Sequence, residues 1–367
     1  MRLLLTACAT TALVVAQPLA ATAVGQGPVG GELMTAKPAV VTAGPTPPTV
    51  QAAAYVVADI DTGQVLLAKA PHAKMRPAST LKTLTALVLL PRLKKTDQVT
   101  GTDADANIVG SKVGVSPGLR YSVDLLFQGM FLASGNDAVH ALCEHDDGGT
   151  AGTIQRMNAK AKELGALDTH VTDPTGLDAD GQVSSAYDLA LFAQAGLGRP
   201  DFAKYASTKF TNFPLTTKGT YQVANQNKLL FKYDGALGVK TGYTTLARNT
   251  FVGAARRDGH TLVVTMLNAP HGITEDASTL LTWTFRNYDK LSPVGSLVKP
   301  VAPPKEATGP SDGKPQAAGP IPPSRRTADK QIRTVNSFFV STPVWFWAAP
   351  PVLLLGLFLK RPRRRRH

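Results

Sequence analysis

The order of strand-type and helix-type segments constrains the fold of this chain more than any other feature. Two apolar runs, 54–60 and 64–68, flank the turn residues Asp61, Thr62 and Gly63 and predict a β-hairpin. Apolar residues at 3.6-residue spacing then recur over 79–90, 122–144, 150–164 and 184–195, which predicts helices. Strand signals return at 237–240, 250–255 and 261–266, before a last helical pattern over 273–288. Strands at both ends with helices between predict an α+β fold, in which an antiparallel sheet drawn from both chain ends packs against a helical lobe. Such a fold has a cleft where lobe and sheet meet.

The rest of the 367 residues reads as appendages. Hydrophobic residues at 43% and charged residues at 18% allow a large core and exclude wholesale disorder. The net charge of +13 sits almost wholly outside the domain: residues 51–290 hold 24 Lys and Arg against 22 Asp and Glu, the remainder 15 against 4. A nucleic-acid binder would carry its cations on the folded surface, so no nucleic-acid partner is expected. Arg2, an uncharged stretch over 3–24 and Ala21-Thr22-Ala23 predict a secretory signal peptide over 1–23, with an N-terminal membrane anchor as the alternative. A Pro/Ala-rich spacer is expected over 24–51, one globular domain over 52–291 and a Pro-rich tether over 292–335. The apolar segment 336–359, with Trp345 and Trp347, predicts a C-terminal transmembrane anchor, and the basic tail 360–367 supplies the positive-inside charge. Pro350-Pro351 leaves a tilted or shallow anchor open. The expected location is thus the cell membrane, with the domain extracytoplasmic and the C-terminus cytoplasmic.

Once a signal peptide is removed Cys143 stands alone, and export without disulfides suggests a bacterial envelope. His140, Cys143 and His145 match no usual zinc spacing, so Cys143 reads as a buried thiol and neither metal nor cofactor is expected.

Three short segments carry the chemistry. Ser79 and Lys82 open the first helical pattern, three residues apart and so on one helix face. A lysine made less basic by burial or a neighbouring cation can activate a serine. The plain alternative is an N-cap serine beside a solvated lysine, and the same spacing recurs at Ser296/Lys299 and Ser311/Lys314. Ser134-Gly135-Asn136 is a polar break inside apolar helical sequence. Lys240-Thr241-Gly242 ends a predicted strand, presents a cation and a hydroxyl, and has a glycine that lets a ligand approach the backbone. The Ser-x-Asn and Lys-Thr-Gly patterns each occur once in the chain.

Together and in this order, the three segments resemble the active-site pattern of penicillin-binding proteins and class A β-lactamases. Their gaps, with Arg76-Pro77-Ala78-Ser79, Asp173-Pro174-Thr175-Gly176-Leu177, Asn225-Gln226-Asn227 and Gly238 to Thr244, are most similar to the serine D-alanyl-D-alanine carboxypeptidases of low molecular mass. The resemblance implies that Ser79 attacks the carbonyl between two terminal D-alanines and that Lys82 takes its proton. It implies further that Ser134 and Asn136 relay the proton and orient the peptide. Lys240 and Thr241 would hold the terminal carboxylate, with Gly242 beside them and the N–H groups of Ser79 and Tyr243 as the oxyanion hole. Peptidoglycan stem peptides would be the substrate and β-lactams would trap the serine. Two positions depart from the family pattern: Leu81 where Thr is common, and Gln226 where an Arg is common, which leaves the carboxylate grip open. A β-lactamase would need a deacylating glutamate with Asn four residues on, which neither Glu144 nor Glu163 has. A cross-link endopeptidase and an inactive wall-binding protein remain the other readings.

Overall fold

The computed structural model describes residues 28–300 apart from 36, 38, 39, 217 and 218. The expected signal peptide, most of the tether, the anchor over 336–359 and the basic tail lie outside the described residues. Among the described residues no helix is long and apolar enough to cross a membrane.

Strand β1 (Val40–Thr42) precedes the hairpin of β2 (Ala54–Asp59) and β3 (Gln64–Lys69). A 3-10 turn (Ala78–Leu81) runs straight into α1 (Lys82–Leu89). The helical lobe continues through β4 (Gln98–Thr100), α2 (Asp103–Asn107), β5 (Arg120–Ser122), α3 (Val123–Leu132), α4 (Asn136–His145) and α5 (Gly149–Glu163). After α6 (Ala186–Leu197) and α7 (Pro200–Ser207) comes a second hairpin, β6 (Phe210–Thr216) and β7 (Gly219–Ala224), then the single turn α8 (Leu229–Lys232). Strands β8 (Ala236–Thr244), β9 (Arg248–Arg257) and β10 (His260–Ala269), helix α9 (Ile273–Asn287) and β11 (Gly295–Ser296) complete the order.

The main sheet has seven antiparallel strands, ordered β1-β3-β2-β10-β9-β8, with β11 also on β3. The two ends of the domain join as expected, because Leu262–Leu267 of β10 pair with Asp59–Ala54 of β2. Apolar residues run continuously through these strands because both faces of the sheet are covered. In β2, Ala54, Val56 and Ala58 pack in the core shared with the helical lobe, while Tyr55 and Val57 pack against α9 through Ala277, Leu280 and Leu281. Helix α1 threads the lobe with all eight of its residues buried. One of those eight is Lys82, and a lysine there must find partners for every N–H it keeps.

The structure redraws several expected boundaries. The helical run over 122–144 is two helices, α3 and α4, parted at Ala133, Ser134 and Gly135. The spacer expected over 24–51 and the tether expected from 292 both contribute to the domain: β1 and β11 pair with β3, and Met34, Val50, Val294 and Leu297 are buried. Without them the outer edge of β3 would be left unpaired, and an open edge invites association with other chains. The β6–β7 hairpin and α7 were not expected, and β7 explains why: only Val223 of its six residues is buried, so no apolar alternation marks it.

Candidate active site

Ser79 lies in the 3-10 turn Ala78–Leu81, not at a helix cap: neither this turn nor α1 has a side-chain cap. One carbonyl both closes the turn on itself and ties it to β9. Pro77 O accepts from Thr80 Oγ1 at 2.5 Å and from Thr250 Oγ1, on β9, at 2.8 Å. Three residues after Ser79, the first residue of α1 aims its side chain back at the turn. Lys82 Nζ donates to Ser79 Oγ at 2.8 Å, to Asn136 Oδ1 at 2.7 Å and to Thr175 O at 2.6 Å. Lys82 is only 1% exposed, which disposes of the solvated-lysine alternative.

Burial drives the Lys82 amine well below its ordinary proton affinity, and the charge of Lys240 pushes it further down; Asp173 and Asp137 pull the other way. Lys240 is itself buried, and desolvation lowers it to about 7. Its Nζ donates to Thr241 O at 2.8 Å, so it acts on Lys82 through its field.

Ser134 occupies the break between α3 and α4 with φ +58°, the left-handed region, and this residue turns the chain out of one helix and into the next. Its hydroxyl is buried, and among the described residues it has no hydrogen-bond partner. Buried hydroxyls are nearly always partnered, so an unpartnered one facing a cleft is suited to a ligand. Ser79, Ser134, Thr241, Gly242 and Tyr243 together line a cleft of about 540 Å³, which His271 and Glu275 also line. Lys82 and Asn136 lie buried next to Ser79.

Lys240-Thr241-Gly242 sits within β8, which continues to Thr244, and does not end a strand as expected. Gly242 also has a different reason from the one anticipated. A Cβ there would sit 2.8 Å from Ser79 N and 3.0 Å from Thr80 N, so the backbone that needs its bareness is the chain's own. β8 is the last strand of the sheet, and it and β9 both contact the Ser79 turn. Gln226 lines the cleft and donates through Nε2 to Ala133 O at 3.1 Å.

Sequence reasoning missed Thr175 as a site residue. Its contribution is a backbone carbonyl, presented by a tight turn in which Asp173 Oδ1 accepts from Thr175 N at 2.7 Å and Gly176 N at 3.1 Å. Only the similarity of the segment 173–177 to the family could have flagged it, since a carbonyl leaves no mark in residue type. Thr250, and Ser111 which also lines the cleft, had no signal at all. The two glutamates weighed for a deacylating role lie elsewhere: Glu144 accepts from Thr150, and Glu163 pairs with Lys160. Of the His/Cys group, His140 is bound to Asp105 at 2.6 Å, and Cys143 is buried with its thiol pushed up to about 12 by desolvation.

A serine whose hydroxyl meets a buried, weakened lysine at the seam of an antiparallel sheet and a helical lobe defines the penicillin-recognising serine hydrolases. The sequence model of the D-alanyl-D-alanine carboxypeptidases matches residues 41–271, and the chain belongs to that family. A D-alanyl-D-alanine carboxypeptidase of Mycobacterium tuberculosis is 42% identical over 253 residues, covering 66% of this chain and 85% of the relative. One from Bacillus subtilis is 31% identical over 246 residues, 65% of this chain and 63% of the relative. Among solved structures, a Mycobacterium tuberculosis D-alanyl-D-alanine carboxypeptidase superposes with a TM-score of 0.66 at 40% identity, covering 71% of this chain and 99% of that one. A Streptomyces DD-transpeptidase gives 0.63 at 30% identity, covering 66% and 100%.

Proposed function

We propose that this enzyme removes the terminal D-alanine from peptidoglycan stem peptides through an acyl-enzyme on Ser79. The observation that carries the proposal is the set of three partners around Lys82 Nζ. Two of them, Thr175 O and Asn136 Oδ1, can only accept. A neutral amine has two N–H bonds, and both are taken by these acceptors. In this neutral form the 2.8 Å contact with Ser79 reverses: the lone pair faces Ser79 Oγ and the hydroxyl becomes the donor. This is the arrangement a base needs, and burial beside Lys240 favours the neutral amine.

As Ser79 Oγ bonds to the carbonyl carbon of the penultimate D-alanine, its proton passes to Lys82. Negative charge gathers on the carbonyl oxygen, where the N–H groups of Ser79 and Tyr243 are the donors in this reading. The C–N bond then breaks, its electron pair leaving with the nitrogen of the terminal D-alanine, and that nitrogen receives a proton by way of Ser134. Water attacks the remaining ester and frees both Ser79 and the shortened peptide. Thr241 and Lys240 attract the terminal carboxylate, and Gln226 provides a neutral amide in the cleft that Thr241 lines. A β-lactam would enter the same cleft and leave a slowly hydrolysed ester. We propose in addition that the chain is exported and held at the membrane by 336–359, on the strength of that segment's composition and the basic tail behind it.

The test is Ser79→Ala. The expected result is loss of both fluorescent-penicillin labelling and D-alanine release with an unchanged melting temperature. Continued D-alanine release would remove Ser79 from the nucleophile's role. Analysis of muropeptide products separates carboxypeptidase from endopeptidase action, and steady turnover of penicillin would point to a β-lactamase.

A further inference from the structure

We infer that Asp137 is a positioning residue of this site: its carboxylate anchors loop 109–115 and, through that loop, fixes the Asn136 amide with its oxygen toward Lys82. The inference rests on the Ser79–Lys82 reading above and adds a residue that touches neither the serine nor the substrate.

Asp137 is fully buried, yet four backbone N–H groups converge on its carboxylate. Oδ1 accepts from Val113 at 2.9 Å and Ala138 at 2.9 Å; Oδ2 accepts from Gly114 at 2.7 Å and Val115 at 2.9 Å. Three of these donors are consecutive in the chain, and Gly114 at φ +88° gives the loop the concave form that gathers amides around an anion. Tyr221 donates its hydroxyl to Val113 O, which ties the same loop to β7.

From its other end the loop reaches back to the site. Val109 O accepts from Asn136 Nδ2 at 2.7 Å, and Ser111 O accepts from Asn136 N at 2.7 Å. A carboxamide has one donating end and one accepting end. With the Val109 carbonyl on one end, the end that meets Lys82 Nζ has to be oxygen. If the loop drifted, the amide could turn over and set N–H against N–H, and the contact that holds the Lys82 amine in register with Ser79 would be lost.

The anchor also carries charge. The charged groups facing Lys82 are Lys240 from β8, Asp173 from the loop before α6, and Asp137 from α4. Asp137 thus supports the proton that Lys82 accepts during attack. Neutralising it lowers the proton affinity of Lys82 and carries the acidic limb of the reaction to lower pH.

Two substitutions separate position from charge. Asp137→Asn keeps the shape, sets an N–H2 among N–H donors and removes the charge. Gly114→Ala keeps the charge and strains the concavity; a Cβ there meets only Tyr221 Oη at 3.8 Å, so the perturbation is conformational. The measurement is the rate of acylation of the full chain by a fluorescent penicillin as a function of pH, with thermal melts alongside. For Asp137→Asn we expect a fall of about 10- to 100-fold, the scale set by sub-ångström misplacement, together with a shift of the acidic limb to lower pH. For Gly114→Ala we expect slowing with the limb unmoved. A folded Asp137→Asn protein that acylates at the wild-type rate overturns the inference, as does one slowed equally at every pH with its limb in place. If Asp137→Asn does not fold, Gly114→Ala decides, and a wild-type rate there overturns it. Wild type and Ser79→Ala, run in the same series, report separately on the reading beneath.

Discussion

Replacing Gly242 with alanine tests whether the seam between β8 and the Ser79 turn is what sets the rate. The added Cβ would lie 2.8 Å from Ser79 N and 3.0 Å from Thr80 N and would collide with Thr250 Oγ1. The first contact is about half an ångström or more inside ordinary van der Waals separation, and its partner is backbone. The threonine cannot step aside freely either, because its hydroxyl is bonded to Pro77 O, which anchors the same turn. Strand and turn must therefore part by a comparable distance. β8 is an edge strand with a free side, so the parting opens the cleft without breaking the sheet's interior ladders. The two N–H groups assigned to the oxyanion, Ser79 on the turn and Tyr243 on the strand, lie on opposite sides of that gap. Misplacement on this scale, or loss of one oxyanion donor, costs about 100- to 1,000-fold in rate. Acylation by a fluorescent penicillin, followed by stopped flow, should fall by at least about 100-fold, with D-alanine release falling in step. A folded Gly242→Ala enzyme acylated within a few-fold of wild type would refute the argument that this glycine holds the two halves of the site together.

Two further outcomes can be measured, one at the site and one at the C-terminus. Lys240→Gln removes the cation that depresses Lys82, so the proton affinity of Lys82 rises and the neutral base appears only at higher pH. The acidic limb of the acylation profile should move upward, opposite in sign to the effect of neutralising Asp137, and an unmoved limb would show that Lys240 does not tune the base. A chain stopped after Thr334 should leave the membrane fraction while acylating as before, and persistent sedimentation with membranes would rule out 336–359 as the anchor.

Sequence alone determined a good deal here. The order of elements specified a sheet closed by both ends of the domain, because β-rich and helical periodicities are local and survive in one dimension. The Ser79–Lys82, Ser134–Asn136 and Lys240–Gly242 segments could be picked out as candidates because each motif is short and contiguous, and the first two fall at element boundaries. Tertiary structure alone decided what makes them a site. The carbonyl of Thr175 belongs to a backbone atom that every residue possesses, so no side chain advertises it. Gly242 is bare because a turn 163 positions earlier in the chain presses against it. The weakening of Lys82 arises from burial in a helix enclosed on all sides and from a cation on a distant strand. The strands flanking β3 escaped notice because Pro and Gly dilute their apolar pattern, whereas the need to cover an open edge exists only once the sheet is built. Local chemistry can be read along a chain; desolvation, close approach and electrostatic fields depend on distances through space, which only folding supplies.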